Sequence, residues 1–149
     1  MKNLLLTLLA LTMSIAASSQ ILNPVLWSYA AKRKSAAEAA IYLKAKIAPG
    51  WHIYALNIPK GKNMSTYFNF YPSNDYKVLG STVQPKPKTK YEEGSGITVC
   101  YFENYAIFMQ KTKLSKVALT VVSGEVTYMA CDASRCLPPE TLAFNIPVE

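Results

Sequence analysis

The sequence is organised around one stretch, Val126-Thr-Tyr-Met-Ala-Cys-Asp-Ala-Ser-Arg-Cys-Leu-Pro-Pro-Glu140. At its start, Val126, Tyr128 and Ala130 alternate with other residues, the pattern of a half-buried β-strand. The strand has to stop at Pro138-Pro139, because proline lacks an N–H and restricts the residue before it. The stretch therefore predicts a strand, a tight loop with two cysteines, and a forced exit.

The two cysteines of this loop, Cys131 and Cys136, are separated by four residues. Such a loop can fold back and bring the Cα atoms within the roughly 4.4–6.8 Å that a disulfide requires. A disulfide at an exposed turn is more reducible than one in a core. From spacing alone the pair is a structural staple, the common case in a secreted domain, or a redox centre. A metal site is a third interpretation, although one C-x4-C supplies only two of the usual four ligands.

The amino-terminal residues 1–19 have the pattern of a secretory signal. Lys2 supplies a positive charge, residues 4–17 are an apolar run too short to span a membrane, and small residues follow. We expect cleavage before Gln20, which places the remaining chain in the periplasm or outside the cell. The alternative is an uncleaved amphipathic start. Residues 20–149 then form a single domain, long enough to bury a core.

The rest of the chain reads as short strands between turn signals, which predicts an all-β sandwich. Over residues 37–47 alanines would permit a helix, but the strict alternation of apolar and polar residues favours a strand. Residues 85–90, with two prolines, are expected to be an extended linker or an edge segment. The predicted strands are 24–29, 37–47, 51–56, 65–71, 78–83, 97–102, 105–113, 115–122, 125–130 and 141–148, with 97–102 and 105–113 forming a hairpin around Glu103-Asn104.

The composition is basic, with 16 Lys and Arg against 9 Asp and Glu and a net charge of +7. The charges are scattered along the sequence and form no stripe interleaved with aromatic residues, so we expect a solvated surface and no nucleic-acid partner. A basic face would help docking to an acidic partner or a membrane surface, but the sequence does not establish one.

The flanks of the cysteine loop carry a resemblance to a known family. A tyrosine before the cysteine pair and Leu137-Pro-Pro-Glu140 after it resemble the active-site hairpin of the N-terminal periplasmic domain of the thiol:disulfide interchange protein DsbD. Residues 21–27, 50–54 and 101–104 also look like stand-alone members of this family, so the resemblance covers nearly the whole mature chain. It implies an immunoglobulin-like β-sandwich that exchanges thiols and disulfides.

The resemblance also implies roles for the cysteines. Cys136 would attack, or be attacked by, the partner, and Cys131 would be the resolving thiol. Arg135 is adjacent to Cys136 and is placed to stabilise its thiolate, although a solvated loop charge is as plausible. Asp132 would oppose ionisation of Cys131 if it were close, or is simply a turn residue.

His52 and Tyr54 fall where the family has tyrosines lining the cysteines. Residues at i and i+2 share one strand face, so the two side chains are expected to line the site together. His52 is the only histidine and would titrate near the thiols. Its alternative role is that of a surface or packing residue, and Tyr54 is expected to act as a packing wall.

The family covers its cysteines with a cap loop, which chain order places at residues 90–96. The family usually has an aromatic residue just before a glycine there, whereas this chain has Glu93. Tyr91 is the nearest aromatic residue and is expected to shield the disulfide; an uncapped disulfide is the rival hypothesis. Glu92 and Glu93 match acidic residues that the family keeps near the cysteines as proton acceptors, or form a solvated acidic turn.

The resemblance therefore implies a thiol:disulfide oxidoreductase that acts as an electron carrier and needs no cofactor. We expect no further domain to follow Glu149, so that the donor is a thioredoxin-like or membrane protein on a separate chain, and we also expect a monomer. The expected acceptor is an exported disulfide isomerase or a cytochrome-maturation thioredoxin. The alternatives are a binding module with a purely structural disulfide, and a metal chaperone using the two cysteines, His52 and methionines. The third cysteine, Cys100, is expected to be a buried bystander rather than an intermolecular link or a redox thiol.

Overall fold

The structure is a computed structural model that describes residues 23–56, 58, 64–93 and 96–149. The predicted signal segment 1–19 lies outside the described residues. Within them the chain forms eleven β-strands and no helix. The strands are β1 (Val25–Arg33), β2 (Glu38–Ile47), β3 (His52–Tyr54), β4 (Tyr67–Phe70), β5 (Tyr76–Val83), β6 (Lys88–Glu92), β7 (Ile97–Phe102), β8 (Tyr105–Leu114), β9 (Thr120–Tyr128), β10 (Ala130–Cys131) and β11 (Glu140–Val148).

The strands form three antiparallel sheets with the orders β1-β2-β8-β5, β10-β3-β7-β6 and β11-β9-β4. The inward faces of the first and third sheets, with residues of the second, share one core. The predicted all-β fold is confirmed.

Strand β2 shows why this sequence forms sheets. Ile41, Leu43, Ala45 and Ile47 are buried, and the lysines between them are exposed. Because side chains alternate across a strand, one face enters the core while the other stays in water. Burying each branched aliphatic side chain stabilises the fold by about 1.5–3 kcal/mol. The strand predicted over residues 37–47 is therefore confirmed.

Aromatic side chains tie the three sheets together. The Trp27 ring of β1 lies 5.8 Å from Phe68, 6.0 Å from Phe108 and 5.5 Å from Tyr128, measured between ring centroids. These rings belong to strands of the first and third sheets, and Phe102 of the second sheet adds an edge contact to Phe108 at 5.5 Å. The aromatic cluster fixes how the sheets pack, and hence where the cysteine loop lies.

The predicted hairpin between residues 97–102 and 105–113 is wrong. β7 pairs with β3 and β6, whereas β8 pairs with β2 and β5. The link between them is a sharp corner, in which Asn104 has φ +64° and the Tyr105 N–H donates to the Glu103 carbonyl at 2.7 Å. Ile47 N–H also donates to the Asn104 carbonyl at 2.7 Å. The corner thus passes the chain from one sheet to another.

Two neighbouring strands were predicted with a break that does not exist. The segments 115–122 and 125–130 were expected as separate strands, but β9 runs without interruption from Thr120 to Tyr128. Gly124 lies within this strand, where a Cβ would lie 2.7 Å from Phe144 Cζ. Glycine serves close packing at this position, not a change of direction.

Segment 85–90, expected as a linker or edge, ends in β6, which pairs with β7 and with no other strand that the structure describes. Its residues are almost all exposed, as expected for an edge. β6 continues to Glu92, so the first residues of the predicted cap loop belong to a strand.

Candidate redox site

Cys131 and Cys136 form a disulfide, with Cα atoms 4.0 Å apart. The two residues differ in exposure: Cys131 lies on β10 with 1% of its surface accessible, whereas Cys136 lies in the exposed loop that follows. An incoming thiolate must reach a sulfur to break the bond, so Cys136 is the more accessible target.

The loop between the cysteines is shaped by Asp132. Its Oδ1 accepts hydrogen bonds from Ser134 N–H at 2.8 Å, Ser134 Oγ at 2.9 Å and Arg135 N–H at 2.8 Å. These bonds hold the pKa of the Asp132 carboxyl below its usual value, and the bond from the Ser134 backbone N–H has the largest effect. Asp132 is therefore an ionised turn residue whose side chain organises the loop, one of the two roles considered from the sequence.

The base of the loop is closed by two contacts. Leu137 N–H donates to the Ala130 carbonyl at 2.8 Å, just before the two prolines. Tyr128 and Glu140 then face each other in the β9–β11 register, and the buried Tyr128 hydroxyl donates to Glu140 Oε2 at 2.6 Å. The cysteine hairpin thus leaves its sheet at the end of β9 and returns at the start of β11, two positions that are paired with each other. This closed base fixes the direction in which the disulfide points.

The disulfide borders an open cleft of about 560 Å³. Strands β3, β6, β7 and β10 and the cysteine loop supply its walls. The lining residues are Gly50, His52, Tyr54, Met64, Lys90, Glu92, Val99, Tyr101, Glu103, Cys131, Asp132, Ala133, Ser134, Arg135 and Cys136.

His52 lies directly across the strand pair from Cys131 in the β3–β10 register. Residues opposite each other on antiparallel strands have Cβ atoms about 4.5–5.5 Å apart. The imidazole also packs edge-on against the rings of Tyr54 and Tyr101, with centroids 5.4 and 5.3 Å away. Burial lowers the pKa of His52, although the nearby carboxylates of Glu103 and Glu92 oppose the shift.

Tyr54 forms part of the buried floor of the cleft. Only 2% of its surface is accessible, and it packs in a small cluster with Ile58, Val99 and Cys131. Burial, and then the Glu92 carboxylate, raises the pKa of its phenol. Tyr54 therefore lies where it can act as the predicted packing wall, in one buried cluster with Cys131.

Arg135 lines the cleft but its guanidinium makes other contacts. Its Nε lies 3.7 Å from Asp132 Oδ2, and the guanidinium carbon lies 5.9 Å from the Trp51 ring centroid. Both contacts hold the charge at the rim of the cysteine loop. The structure shows this placement and no direct interaction of Arg135 with the sulfur of Cys136.

Tyr91 and Glu93 do not line the cleft, although they belong to the predicted cap. Lys90 and Glu92 of β6 point into it, and strand alternation places Tyr91 on the opposite side, with 61% of its surface exposed. The structure does not bring the Tyr91 ring over the disulfide, so the shielding predicted for it has no structural support. Gly94 and Ser95 of the cap lie outside the described residues.

Several residues of the cleft were not predicted from the sequence. Tyr101 lies opposite Tyr54 on β7 and contacts His52, and Glu103, Lys90 and Val99 complete the same wall. Tyr101 and Glu103 belong to the segment 101–104 that resembled the family, so a signal was present. Their proximity to the cysteines depends on the pairing of β3 with β7, which no local pattern reveals.

Cys100, predicted as a buried bystander, is a free thiol that is only half-buried and packs against the main core. Within residues 23–56, 58, 64–93 and 96–149, no three His, Cys, Asp or Glu side chains form a group that could hold a metal ion. In the same part of the chain we find no helix of the length and apolarity that a membrane crossing requires.

Comparison with known families gives one match that spans most of the chain. The family described as "Thiol:disulfide interchange protein DsbD, N-terminal" matches residues 23–147. No curated protein sequence matches significantly.

Solved structures share the fold at low sequence identity. The N-terminal periplasmic domain of ScsB from Proteus mirabilis is 18% identical with a TM-score of 0.61, covering 86% of this chain and 48% of that one. The reduced DsbD N-terminal domain of Neisseria meningitidis is 17% identical with a TM-score of 0.57, covering 88% and 93%. A chain in the complex between the DsbD and PilB N-terminal domains of Neisseria meningitidis is 17% identical with a TM-score of 0.56, covering 85% and 88%.

These likenesses concern the fold, and they confirm the predicted immunoglobulin-like sandwich. The chain spans about half, 48%, of the ScsB chain that it matches.

Proposed function

The chain belongs to the family of N-terminal domains of the thiol:disulfide interchange protein DsbD, and from this premise we propose that it relays reducing equivalents through Cys131 and Cys136. The family and the disulfide-bonded pair fit a thiol–disulfide exchange module. The observation that carries the proposal is the unequal exposure of the two cysteines at the edge of an open cleft. A purely structural staple has no need of such access.

The proposed reduction of the domain has two steps. A donor thiolate attacks the sulfur of Cys136, which forms a donor–Cys136 disulfide and releases Cys131 as a thiolate. The second thiol of the donor, once deprotonated, then attacks the donor sulfur of that bond and releases Cys136 as a thiolate. The donor leaves with its own disulfide, and the domain has gained two electrons.

The proposed reduction of an acceptor runs in the opposite sense. The Cys136 thiolate attacks the acceptor disulfide and forms a mixed disulfide, releasing one acceptor thiolate. Cys131, once deprotonated, attacks the Cys136 sulfur and restores the Cys131–Cys136 bond, which releases the second acceptor thiolate. Cys136 is thus the exchanging thiol and Cys131 the resolving one.

We propose that His52 accepts the proton that the Cys131 thiol loses during these steps. It lies across the strand pair from Cys131, and its lowered pKa keeps the imidazole neutral and able to accept a proton near neutral pH. Glu92 and Glu103 line the same cleft and would stabilise the imidazolium that results. Tyr54 is proposed to hold the Cys131 side chain in place from below.

We propose a periplasmic or secreted location, with residues 1–19 as a signal peptide removed before Gln20 and residues 20–149 as the functional domain. The similar ScsB domain is a periplasmic domain. The partner class follows the Neisseria meningitidis complex between the DsbD and PilB N-terminal domains. We propose a thioredoxin-like or membrane donor on a separate chain, and an exported isomerase or cytochrome-maturation thioredoxin as acceptor.

The reduction potential of Cys131–Cys136 in residues 20–149 tests the proposal. The domain is equilibrated against glutathione buffers, its thiols are alkylated and the reduced fraction is read by mass. A potential between roughly −180 and −270 mV, the range of thiol-exchange proteins, is the expected result. A potential below about −300 mV, typical of structural disulfides, would leave a stapled binding domain instead.

A further inference from the structure

The outward side of the sheet β1-β2-β8-β5 concentrates positive charge. Its strands, all of which the structure describes, place six exposed lysines on this side and a single acidic residue, Glu38. The whole chain has a net charge of +7, so much of its excess charge lies on one surface. We call this surface the basic sheet face; its lysines are Lys32, Lys44, Lys46, Lys77, Lys111 and Lys113.

Strand register makes these lysines neighbours although they are far apart in sequence. Lys77 of β5 lies opposite Lys113 of β8, and Lys32 of β1 lies opposite Ala40, which itself faces Lys111. Among the residues that the structure describes, none of the six lysines forms a salt bridge. The ammonium groups are therefore available to an external anion.

Apolar side chains stand between the lysines on the same face. Leu26 and Tyr105 flank Lys46 in the register, with 58% and 62% of their surfaces exposed, and Ile107 lies opposite Lys44 with 43% exposed. The Lys44 ammonium lies 5.9 Å from the Tyr105 ring centroid. The face thus combines cations with exposed apolar groups.

The middle of the face is a depression of about 550 Å³. Its lining includes Ala40, Tyr42, Leu79, Met109 and Lys111, together with the charged residues Lys34 and Glu38. The depression therefore offers apolar surface beside lysine ammonium groups on the same face.

We propose that the basic sheet face docks onto the surface of a bilayer containing anionic phospholipid. Basic residues near such a surface are attracted by its negative potential, and exposed apolar and tyrosine side chains enter its interfacial region. An acidic protein would also attract the lysines, but the cations and the exposed apolar side chains are spread over β1, β2, β5 and β8 rather than gathered into one patch. The mixture of both on one broad sheet favours lipid.

The basic sheet face leaves the redox cleft free, because no residue that lines the cleft belongs to β1, β2, β5 or β8. A docked domain can still present Cys136 to a partner. The inference does not depend on the proposed electron relay, since binding to lipid requires no thiol chemistry.

Sedimentation with vesicles tests the proposal, using residues 20–149, which contain all eleven strands that the structure describes. This form leaves out the apolar run 4–17, whose own affinity for lipid would hide the face. We expect binding to phosphatidylglycerol-containing vesicles at low salt, no binding to pure phosphatidylcholine vesicles, and loss of binding at high salt because of screening. Equal binding to both vesicle types, or no binding to either, would overturn the proposal.

Charge reversal locates the binding surface. Lys44→Glu/Lys111→Glu should weaken vesicle binding by roughly 30-fold or more, because each lysine near an anionic surface contributes several-fold. The matched control, Lys86→Glu/Lys90→Glu, changes the net charge equally through exposed lysines off the face, which form no salt bridge with any residue that the structure describes, and should weaken binding far less. If both variants lost binding equally, net charge rather than this face would be responsible. If the wild-type domain bound the polyanion heparin but bound no vesicles, that result would also contradict docking to a lipid surface.

Discussion

Cys131 and Cys136 share one bond but differ in access, and this difference leads to a prediction about each sulfur. Reduced Cys131→Ser retains the exposed Cys136 thiol but no resolving thiol, so a mixed disulfide with a partner should accumulate. The partner in the test is an oxidised thioredoxin-like protein, and the complex is measured on non-reducing gels with mass identification.

The matched control is Cys136→Ser, which retains only the buried Cys131 thiol. We expect it to form roughly tenfold less complex, because access limits thiol–disulfide exchange. Equal trapping by the two variants would contradict the assignment of Cys136 as the exchanging thiol.

His52 gives a second prediction at the residue scale, because it is the only histidine in the chain. Its pKa is lowered in the folded state, so the unfolded chain binds more protons between the folded and unfolded pKa values. The stability due to His52 is thus complete above its unfolded pKa near 6.5 and is lost as pH falls toward the folded pKa. The charged groups around it are Glu103, Glu92, Lys90 and Asp132.

The measurement compares urea unfolding at pH 7.5 and pH 5.0 for the wild type and His52→Gln. The free energy of unfolding should fall more on acidification for the wild type than for the variant. The difference between the two proteins gives the contribution of His52 separately from that of the carboxylates, which also titrate. His52→Gln should also flatten the pH dependence of Cys131 alkylation in the reduced domain. Identical profiles for both proteins would remove His52 from any role in proton transfer.

At the scale of the element, the cysteine hairpin depends on how its base is closed. The Tyr128 hydroxyl donates to the Glu140 carboxylate at 2.6 Å, where β9 and β11 meet. Tyr128→Phe should lower the free energy of unfolding by about 1–2 kcal/mol, because a hydrogen bond from a buried phenol to a charged acceptor is lost. Urea denaturation measures the change.

The neighbouring residue pair in the β9–β11 register supplies a control. Thr127 and Thr141 share an exposed hydrogen bond of 2.8 Å, and Thr127→Val should cost less than about 0.5 kcal/mol because water replaces the lost partner. A cost as small for Tyr128→Phe as for Thr127→Val would show that the Tyr128–Glu140 contact does not hold the hairpin.

At the scale of the whole molecule, local patterns predicted the strands but not the partner of every strand. The alternation of Ile41, Leu43 and Ala45 with more polar residues is visible in the sequence, and it predicts β2 without information from any other segment. The pairing of β7 with β3 instead of β8 depends on a corner at Asn104 and on bonds to β2. Such pairing is decided by the packing of the sheets, which a single segment does not encode.

The candidate site shows the same division. The cysteine pair stood out in the sequence by its spacing, and the resemblance to the family implied His52, Tyr54 and Glu92; all five residues line the cleft. Tyr91, predicted to shield the disulfide, does not line the cleft, because β6 extends to Glu92 and strand alternation turns its side chain outward. The lysines of the basic sheet face looked scattered because β1, β2, β5 and β8 bring them together only after folding.

The last prediction concerns the fold as a whole when the disulfide is reduced. Cys131 and Cys136 are only five positions apart, so their bond closes a short loop and constrains the unfolded chain little. The chain-entropy relation gives a loss of about 2 kcal/mol on reduction, a fall in Tm of roughly 5–8 °C. An electron carrier must remain folded in both states, and the shared core of the sheets, to which neither cysteine belongs, accounts for that.

Circular dichroism melts of residues 20–149 with and without reductant measure this effect. The reduced domain should keep its β-sheet spectrum and melt roughly 5–8 °C lower. Reductant should not change the Tm of Cys131→Ala/Cys136→Ala, because this variant has no disulfide to break. Unfolding of the reduced wild type at room temperature would mean that the disulfide acts as a staple. The domain could not then alternate between two redox states, and the relay proposal would fail even if its reduction potential were suitable.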